Sequence, residues 1–379
     1  RIGGTIKKEI PINKPIISDE EISAVLGVLK SGRLTTGSPE GGPKVREFER
    51  LFAEFIGVKH AIAVNSGTAA LHAALLAAGV GPGDEVIVPD FTFVATANVV
   101  LAVGARPIFA DIDLRTYNIS VDDVKQKITP RTKAIIPVHL YGLPADMDPL
   151  MELAEDHGLV VIEDACQAHG SIYKGKKAGS LGHMAAFSFY PSKIITTGEG
   201  GMITTNDDEL AEKLKMIRTH GQVKGYDSVI FGLNLRMSEI NAAIGIAQMK
   251  KIDAFLKRRR RNAKIMSEEL SSTDGIVLPV EPQGYVHNWY VYTIRLLNHK
   301  IRDNVQRYLR DNGIGAMVYY PTPLHKLPLY ERLGYANEHI PNSDLASKSV
   351  LSLPVHPLMT EEDVVYVAEK LKEALRRIS

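Results

Sequence analysis

Short apolar runs alternate with helical patterns over the first half of the chain. Each run has four to six residues, mostly apolar and often β-branched, which is typical of a strand buried on both faces. Between the runs, apolar residues recur every three or four positions, as on one face of a helix. The strands predicted in this way are 61–64, 85–88, 106–110, 133–138, 159–162, 185–190 and 202–205. Because strands and helices alternate, the sequence predicts an α/β fold with a mainly parallel, doubly wound sheet.

The pattern changes after about residue 265. Strands at 277–279 and 289–297, a helix at 302–312 and a closing helix at 360–378 predict a smaller α+β domain. Before this point, the sequence predicts one long helix that is capped by Ser238 and bridges two domains. We therefore expect a large domain over 12–250 and a small C-terminal domain over 251–379.

A capping-box pattern opens the first predicted helix, at 16–30. Ser18 is the predicted N-cap and Glu21 follows three residues later, which is the spacing of a capping box. The apolar residues of this helix fall on one face, and they are Ile22, Val25, Leu26 and Leu29.

Composition excludes several classes of protein. Lys and Arg number 45 against 44 Asp and Glu, so no overall charge points to nucleic acid or a membrane surface. The basic run 257–261 predicts a solvated helix face, since a nucleic-acid site would need aromatic residues and a wider basic surface. The single cysteine, Cys166, excludes an internal disulfide and a multi-cysteine metal site. No apolar run is long enough to span a membrane and no signal-peptide pattern opens the chain, so we expect a cytoplasmic protein.

A carboxylate and a lysine follow two different predicted strands. Glu163 and Asp164 come after 159–162, and Lys193 comes after 185–190. Open α/β sheets bind their ligands at the carboxyl ends of strands. A lysine that forms a Schiff base and a carboxylate that keeps the pyridine nitrogen protonated are what pyridoxal phosphate chemistry requires. Either residue alone is more often a strand cap or a loop cation.

A possible phosphate site follows the first strand, where a Ser66-Gly67-Thr68 turn leads into an alanine-rich helix. Free backbone N–H groups at a helix N-terminus favour an anion such as phosphate, although an ordinary serine N-cap has the same sequence. Phe91 and Phe93 follow the second strand, where one of them could stack on a flat cofactor ring or both could belong to the core.

With these residues in place, the chain resembles the DegT/DnrJ/EryC1/StrS family of pyridoxal phosphate-dependent sugar aminotransferases. The resemblance runs from about Ile12 to the C-terminus and is specific, because several separate motifs occur in the family's order. These motifs are GRLTTG (32–37), NSGTAALHAAL (65–75), PDFTFVATAN (89–98), EDACQAHG (163–170), SFYPSKIITTGEGGM (188–202) and GLNLRMSEINAAIGIAQ (232–248). The fold implied is that of aspartate aminotransferase, also called fold type I.

The resemblance also implies roles for individual residues. Lys193 matches the lysine that binds the cofactor covalently, and Asp164 the partner of the pyridine nitrogen. The other matches are Gln167 beside the ring hydroxyl, Phe93 stacking on the ring, Gly67, Thr68 and Ser188 at the phosphate, and Asn234 reaching the phosphate from the neighbouring subunit. Cys166 stands where an alanine is common, and we interpret it as a small buried filler and not a nucleophile.

The activity implied is transfer of an amino group from L-glutamate to the keto carbon of a nucleotide-linked sugar, in a homodimer with shared active sites and without a metal. The last two motifs resemble most closely those of members that act at C4 of 4-keto-6-deoxy sugars, such as perosamine synthases. Sugars with the keto group at C3, and cyclitol ketones, are the alternative substrates. Tyr319, Tyr320 and His325 are the candidate sugar contacts.

Two other functions fit these residues less well. A sugar dehydratase of the same family would carry histidine in place of Lys193. A non-enzymatic regulator or nucleic-acid binder is indicated only by the run 257–261.

Overall fold

A seven-stranded sheet forms the centre of the larger part of the chain. The computed structural model describes residues 9–378. The strands, in chain order, are β1 His60–Val64, β2 Glu85–Pro89, β3 Arg106–Ala110, β4 Thr132–Ile135, β5 Val160–Asp164, β6 Ile172–Tyr173, β7 Lys176–Lys177, β8 Met184–Ser188, β9 Gly201–Thr205, β10 Gln222–Lys224, β11 Asp227–Ser228, β12 Ile276–Val277, β13 Tyr285–Val286, β14 Tyr292–Leu296 and β15 Val350–Leu353.

The order of the strands in this sheet is β1-β9-β8-β5-β4-β2-β3. Five neighbouring strands, from β8 to β3, run parallel, while β9 is antiparallel to both β8 and β1. The prediction of a mainly parallel α/β sheet is thus confirmed. The parallel strands end on one edge, and that edge carries the predicted cofactor residues.

Helices cover both faces of the sheet because its strands are apolar on both sides. The α-helices of residues 9–378, in chain order, are α1 Asp19–Ser31, α2 Pro43–Ile56, α3 Gly67–Ala77, α4 Ala95–Ala102, α5 Val121–Lys127, α6 Met147–His157, α7 Asp208–Arg218, α8 Glu239–Met249, α9 Ile252–Leu270, α10 Arg302–Asp311, α11 Pro328–Tyr330, α12 Pro341–Ser349 and α13 Glu361–Ile378. Helix α3 packs on β8 and β9, which brings its N-terminus to the end of β8.

The predicted capping box is present at the start of α1. Ser18 N–H donates to Glu21 Oε2 at 2.7 Å, and the Ser18 side chain accepts from the first turn of the helix. The apolar face predicted for this helix is not buried in the single chain, where Ile22, Leu26 and Leu29 are about half exposed.

The single long helix predicted from Ser238 is wrong, since the chain forms two helices, α8 and α9. Ser238 does cap α8, accepting from Asn241 N–H at 3.2 Å. The helix breaks at Lys250 and Lys251. Lys251 Nζ lies 2.7 Å from the buried Glu21 Oε1 and 2.6 Å from Ser18 Oγ. A contact with a carboxylate more than two hundred residues away cannot be seen in helical periodicity.

The solvated face predicted for 257–261 is also partly wrong. Lys257 and Arg258 are exposed, but Arg259 is only 1% exposed. Its guanidinium donates to Tyr290 O at 3.0 Å and to Asn13 Oδ1 at 2.6 Å. A buried arginine needs such acceptors, because an unsatisfied buried charge is very costly.

The C-terminal part forms a three-stranded antiparallel sheet, in the order β12-β14-β15. Its hydrophobic cluster includes Met266, Ile294 and Leu371, from α9, β14 and α13, and also Ile10. A second cluster joins Tyr290 and Val350 to residues of the large sheet. The boundary at residue 250 therefore stays a prediction.

Two kinds of feature are absent from residues 9–378. No helix there is both long and apolar enough to cross a membrane. The same residues contain no group of three or more His, Cys, Asp or Glu side chains arranged to hold a metal ion.

Candidate active site

A cavity of about 370 Å³ opens at the carboxyl ends of the parallel strands. It is lined by Ser66, Gly67, Thr68, Leu71, Thr92, Phe93, Ala95, Val138, Asp164, Cys166, Gln167, Ser188, Tyr190, Ser192, Lys193, Glu199, Tyr290, Tyr319 and Tyr320. Nine of the eleven residues predicted for the site are in this set. A larger cavity, of about 600 Å³, lies between the N-terminal segment and α13 and shares no residue with it.

Asp164 is the last residue of β5 and is almost completely buried. Thr96 Oγ1, at the start of α4, donates to Asp164 Oδ2 at 2.8 Å, and Cys166 N–H donates to Oδ1 at 3.2 Å. Both carboxylate oxygens therefore accept a hydrogen bond from the protein. Sequence reasoning missed Thr96, because nothing in the local pattern links it to a residue 68 positions later.

Lys193 lies in the loop between β8 and β9, with its backbone N–H bonded to Tyr190 O at 2.9 Å. Its Nζ lies 4.9 Å from the ring centroid of Tyr290, in a cation–π contact. The structure shows no hydrogen bond or ion pair from this Nζ to any residue between 9 and 378. The amine is therefore free to bond to a ligand in the cavity. Tyr290 comes from the chain just before β14, and sequence reasoning missed it too.

The N-terminus of α3 forms part of the cavity wall. Ser66 caps this helix by accepting from Ala69 N–H at 3.0 Å. The N–H groups of Gly67 and Thr68 lack helical partners, so they are available to an anion. A Cβ atom on Gly67 would lie 2.8 Å from both Cys166 Sγ and Ser188 Cβ. Glycine is therefore required for this close approach of helix and strand ends.

Cys166 lies beside that helix N-terminus and is half-buried in the cavity lining, not fully buried as predicted. Burial of its thiol raises the thiol pKa well above the usual value. A thiol in this state stays protonated at neutral pH, and thiols react as thiolates. This supports its interpretation as a filler and not a nucleophile.

Gln167 lines the cavity and hydrogen-bonds to two segments that are distant from each other in the chain. Its Oε1 accepts from Tyr141 N–H at 2.7 Å, and its Nε2 donates to Tyr320 Oη at 3.1 Å. Burial raises the pKa of the Tyr320 hydroxyl well above its usual value, so this group stays a donor at neutral pH. Tyr141 Oη also donates to Tyr319 O. The ring of Phe93 lies 6.1 Å from that of Tyr320 and is the more exposed of the two.

Two predicted site residues lie outside the cavity lining of the single chain. His325 is fully buried, with its Nδ1 2.7 Å from Asp90 Oδ2. Asn234 is exposed, and forms an isolated bridge with Thr219 just before α8. Their predicted roles, at the sugar and at a neighbouring subunit's phosphate, stay predictions.

This set of donors fits pyridoxal phosphate. The buried carboxylate of Asp164 suits the ring nitrogen, the free amine of Lys193 suits the aldehyde, and the uncapped donors beside Gly67 suit the phosphate. All three line one cavity, with Phe93 available to the ring face. The role of each of these residues in cofactor binding stays a proposal.

Comparison with known proteins gives consistent matches over nearly the whole chain. The sequence profile of the DegT/DnrJ/EryC1/StrS aminotransferase family matches residues 15–372. The GDP-perosamine synthase of Caulobacter vibrioides is 45% identical over 346 residues, covering 90% of this chain and 92% of that protein. The UDP-N-acetyl-3-dehydro-alpha-D-glucosamine 3-aminotransferase of Acidithiobacillus ferrooxidans is 44% identical over 335 residues, covering 88% and 89%.

Solved structures agree in fold as well. DesV of Streptomyces venezuelae, solved in complex with a ketimine intermediate, has a TM-score of 0.91 at 37% identity, covering 98% of this chain and all of that one. The pyridoxal phosphate form of a sugar aminotransferase described as putative, Spr1654 of Streptococcus pneumoniae, has a TM-score of 0.92 at 30% identity, covering 98% and 100%.

Proposed function

The chain belongs to the DegT/DnrJ/EryC1/StrS aminotransferase family and is a pyridoxal phosphate-dependent sugar aminotransferase, and we propose that it moves an amino group from glutamate to C4 of a nucleotide-linked keto-deoxy sugar. The observation that carries the residue assignment is a single cavity containing Asp164, Lys193 and the N-terminus of α3. Glutamate leaves as 2-oxoglutarate, and the keto sugar leaves as an amino sugar.

Each residue has one task in this proposal. The bound cofactor supplies an electron sink for the negative charge that develops at the donor's α-carbon. Asp164, held by Thr96, would accept a hydrogen bond from the ring nitrogen and so keep that nitrogen protonated. The amine of Lys193 takes the proton from the α-carbon of glutamate and returns a proton at the sugar carbon that receives nitrogen. Gly67 and Thr68 hold the phosphate through backbone N–H groups.

The choice of C4 rests on the two motifs around 198 and 232–248, which resemble those of perosamine synthases. The Caulobacter relative, named for GDP-perosamine synthesis, supports it at 45% identity. A second candidate is amination at C3, supported by the Acidithiobacillus relative at 44% and by a Streptomyces venezuelae relative, dTDP-3-amino-3,4,6-trideoxy-alpha-D-glucose transaminase, at 38%.

A substrate screen separates these candidates. The protein would be incubated with glutamate and, in turn, with nucleotide-linked 4-keto-6-deoxy and 3-keto sugars, and the amino product detected by mass. We expect the 4-keto sugars to react and Lys193→Ala protein to make no product. Reaction with the 3-keto sugars alone would overturn C4 but keep the aminotransferase assignment. Loss of water from the sugar, without gain of nitrogen, would indicate the dehydratase instead.

The proposed working unit is a homodimer in which Asn234 reaches the partner's phosphate site. Asn234 is exposed in the single chain, in the segment that leads into α8. Helix α1 packs on α8 and leaves Ile22, Leu26 and Leu29 about half exposed. Exposed apolar side chains grouped on one helix are typical of a surface that another chain covers.

Subunit exchange tests the role of Asn234. Inactive Lys193→Ala protein would be mixed with Asn234→Ala protein under conditions in which exchange is verified. If Asn234 acts on the partner's site, one site of each mixed dimer has both residues intact, and activity rises above that of either parent. A mixture no more active than its parents would place Asn234 in its own chain's site or outside any site.

A further inference from the structure

Arg259 is a buried cation whose partners within residues 9–378 are carbonyl and amide oxygens, with no carboxylate paired to it. Its position was unexpected, because it belongs to a basic run on α9. Hydrogen bonds from a charged donor are roughly twice as strong as neutral ones, and a buried charge depends on them. The groups that accept from Arg259 are therefore held firmly.

One arm of the guanidinium leads to the backbone of the lysine loop. Arg259 Nη2 donates to Asn13 Oδ1 at 2.6 Å. Asn13 Nδ2 in turn donates to Ser192 O at 2.9 Å and to Pro191 O at 3.3 Å. These are the two residues directly before Lys193. The amide of Asn13 thus links the buried charge to that loop.

The other arm leads to the ring beneath the lysine amine. Arg259 Nη1 donates to Tyr290 O at 3.0 Å. The ring of Tyr290 lies 4.9 Å from Lys193 Nζ, and its hydroxyl lies 3.1 Å from Ser192 Oγ. Both arms therefore converge on the peptide that carries the lysine and on the surface against which its amine rests.

We propose that Arg259 and Asn13 are positioning residues that place Lys193 for proton transfer, an inference that rests on the proposed function. The lysine amine has no hydrogen-bond anchor among residues 9–378, so its location depends on its backbone and on the Tyr290 ring. A displacement of about 1 Å at a reacting group can slow a reaction by roughly 10²-fold. Neither Arg259 nor Asn13 lines the cavity. Both can therefore position Lys193 but cannot contact the substrate directly.

Asn13→Asp is the decisive variant. The carboxylate can still accept from Arg259 and form an ion pair with it, but it cannot donate to Ser192 O. A residue that serves only stability would tolerate this change. A positioning residue would not. Arg259→Lys, which keeps the charge but cannot span both arms, is the second variant, and Arg258→Ala, on the exposed side of the same helix, is the matched control.

Two rates would be measured with the whole 379-residue chain. The first is attachment of pyridoxal phosphate to Lys193 in apoprotein, followed by visible absorbance. The second is the single-turnover rate of the holoenzyme at saturating glutamate. Melting temperature would be recorded alongside. For Asn13→Asp and Arg259→Lys we expect both rates to fall about 10- to 100-fold, with KM for glutamate within about threefold and Asn13→Asp no less stable than wild type.

The rates of the double variant Asn13→Asp/Arg259→Lys should lie within about threefold of those of the slower single variant, because the two residues act in series. Wild-type rates in Asn13→Asp, or an equal loss in Arg258→Ala, would overturn the inference. If Arg259→Lys does not fold, Asn13→Asp alone decides. A wild-type chain that binds pyridoxal phosphate but does not react with glutamate would refute the proposed donor instead, and the attachment rates would still test the positioning of Lys193.

Discussion

Asp164→Asn tests the electronic role assigned to the buried carboxylate. The amide has nearly the same shape, and the site can accept it. Cys166 N–H can still donate to the amide oxygen. Thr96 Oγ1 lies 3.2 Å from Thr92 Oγ1, so its hydroxyl can turn toward Thr92 and accept from the new NH₂ group. We therefore expect the variant to fold and to bind pyridoxal phosphate, while losing the charge that keeps the ring nitrogen protonated.

The magnitude follows from the burial of this group. Asp164 is 6% exposed, so water cannot replace the lost charge. Breaking a buried charged pair by removing one partner costs roughly 3–5 kcal/mol. At about 1.4 kcal/mol for each factor of ten, the single-turnover rate with glutamate should fall by roughly 10²- to 10⁴-fold.

The assay follows the visible absorbance of the holoenzyme after rapid mixing with saturating glutamate, with cofactor affinity measured separately. A cofactor analogue with carbon in place of the ring nitrogen is the chemical control, because it removes the group that Asp164 serves. With the analogue, wild type and Asp164→Asn should differ by less than about tenfold. A loss below about threefold with the natural cofactor would remove Asp164 from this role.

Three further variants test other parts of the site and the core. Lys193→Ala should lose both the visible absorbance of the bound cofactor and turnover with glutamate, and turnover at a comparable rate would mean that another lysine is the catalyst. Gly67→Ala should weaken cofactor binding by roughly 5- to 150-fold, since overpacking costs about 1–3 kcal/mol; Gly81→Ala, where an added Cβ has no neighbour within 4 Å, is the control and should bind normally. His287, whose Nδ1 accepts from Trp289 N–H at 2.8 Å, has its pKa lowered by burial from 6.5 to about 3. As the pH falls below 6.5, His287 takes up a proton in the unfolded protein but not in the folded protein. The free energy of unfolding therefore falls as the pH falls. In His287→Asn, the amide oxygen can accept from the same N–H. Between about pH 7 and pH 5, the free energy of unfolding measured with denaturant should change less steeply with pH than in wild type, by up to about 1.4 kcal/mol per pH unit. An unchanged pH dependence would contradict the lowered pKa.

The sequence alone determined the features that depend on near neighbours. Buried strands produce apolar runs, so the α/β sheet was predictable. The capping box at Ser18 and the N-caps at Ser66 and Ser238 were predictable because donor and acceptor lie within three residues. Asp164, Lys193 and Gly67 could be assigned to one site because the carboxyl ends of parallel strands meet at the same edge of a sheet.

Contacts between distant segments were decided only by the tertiary structure. Thr96 donates to Asp164, and the Tyr290 ring lies against Lys193, across chain separations that leave no periodic signal. For the same reason the break at Lys251 and the burial of Arg259 were mispredicted. Helical periodicity reports which face a residue occupies, but whether that face meets solvent, Glu21 or the carbonyl of Tyr290 depends on which elements pack beside it. Local chemistry therefore predicted the groups that are proposed to bind and react, while long-range packing selected the groups that contact them.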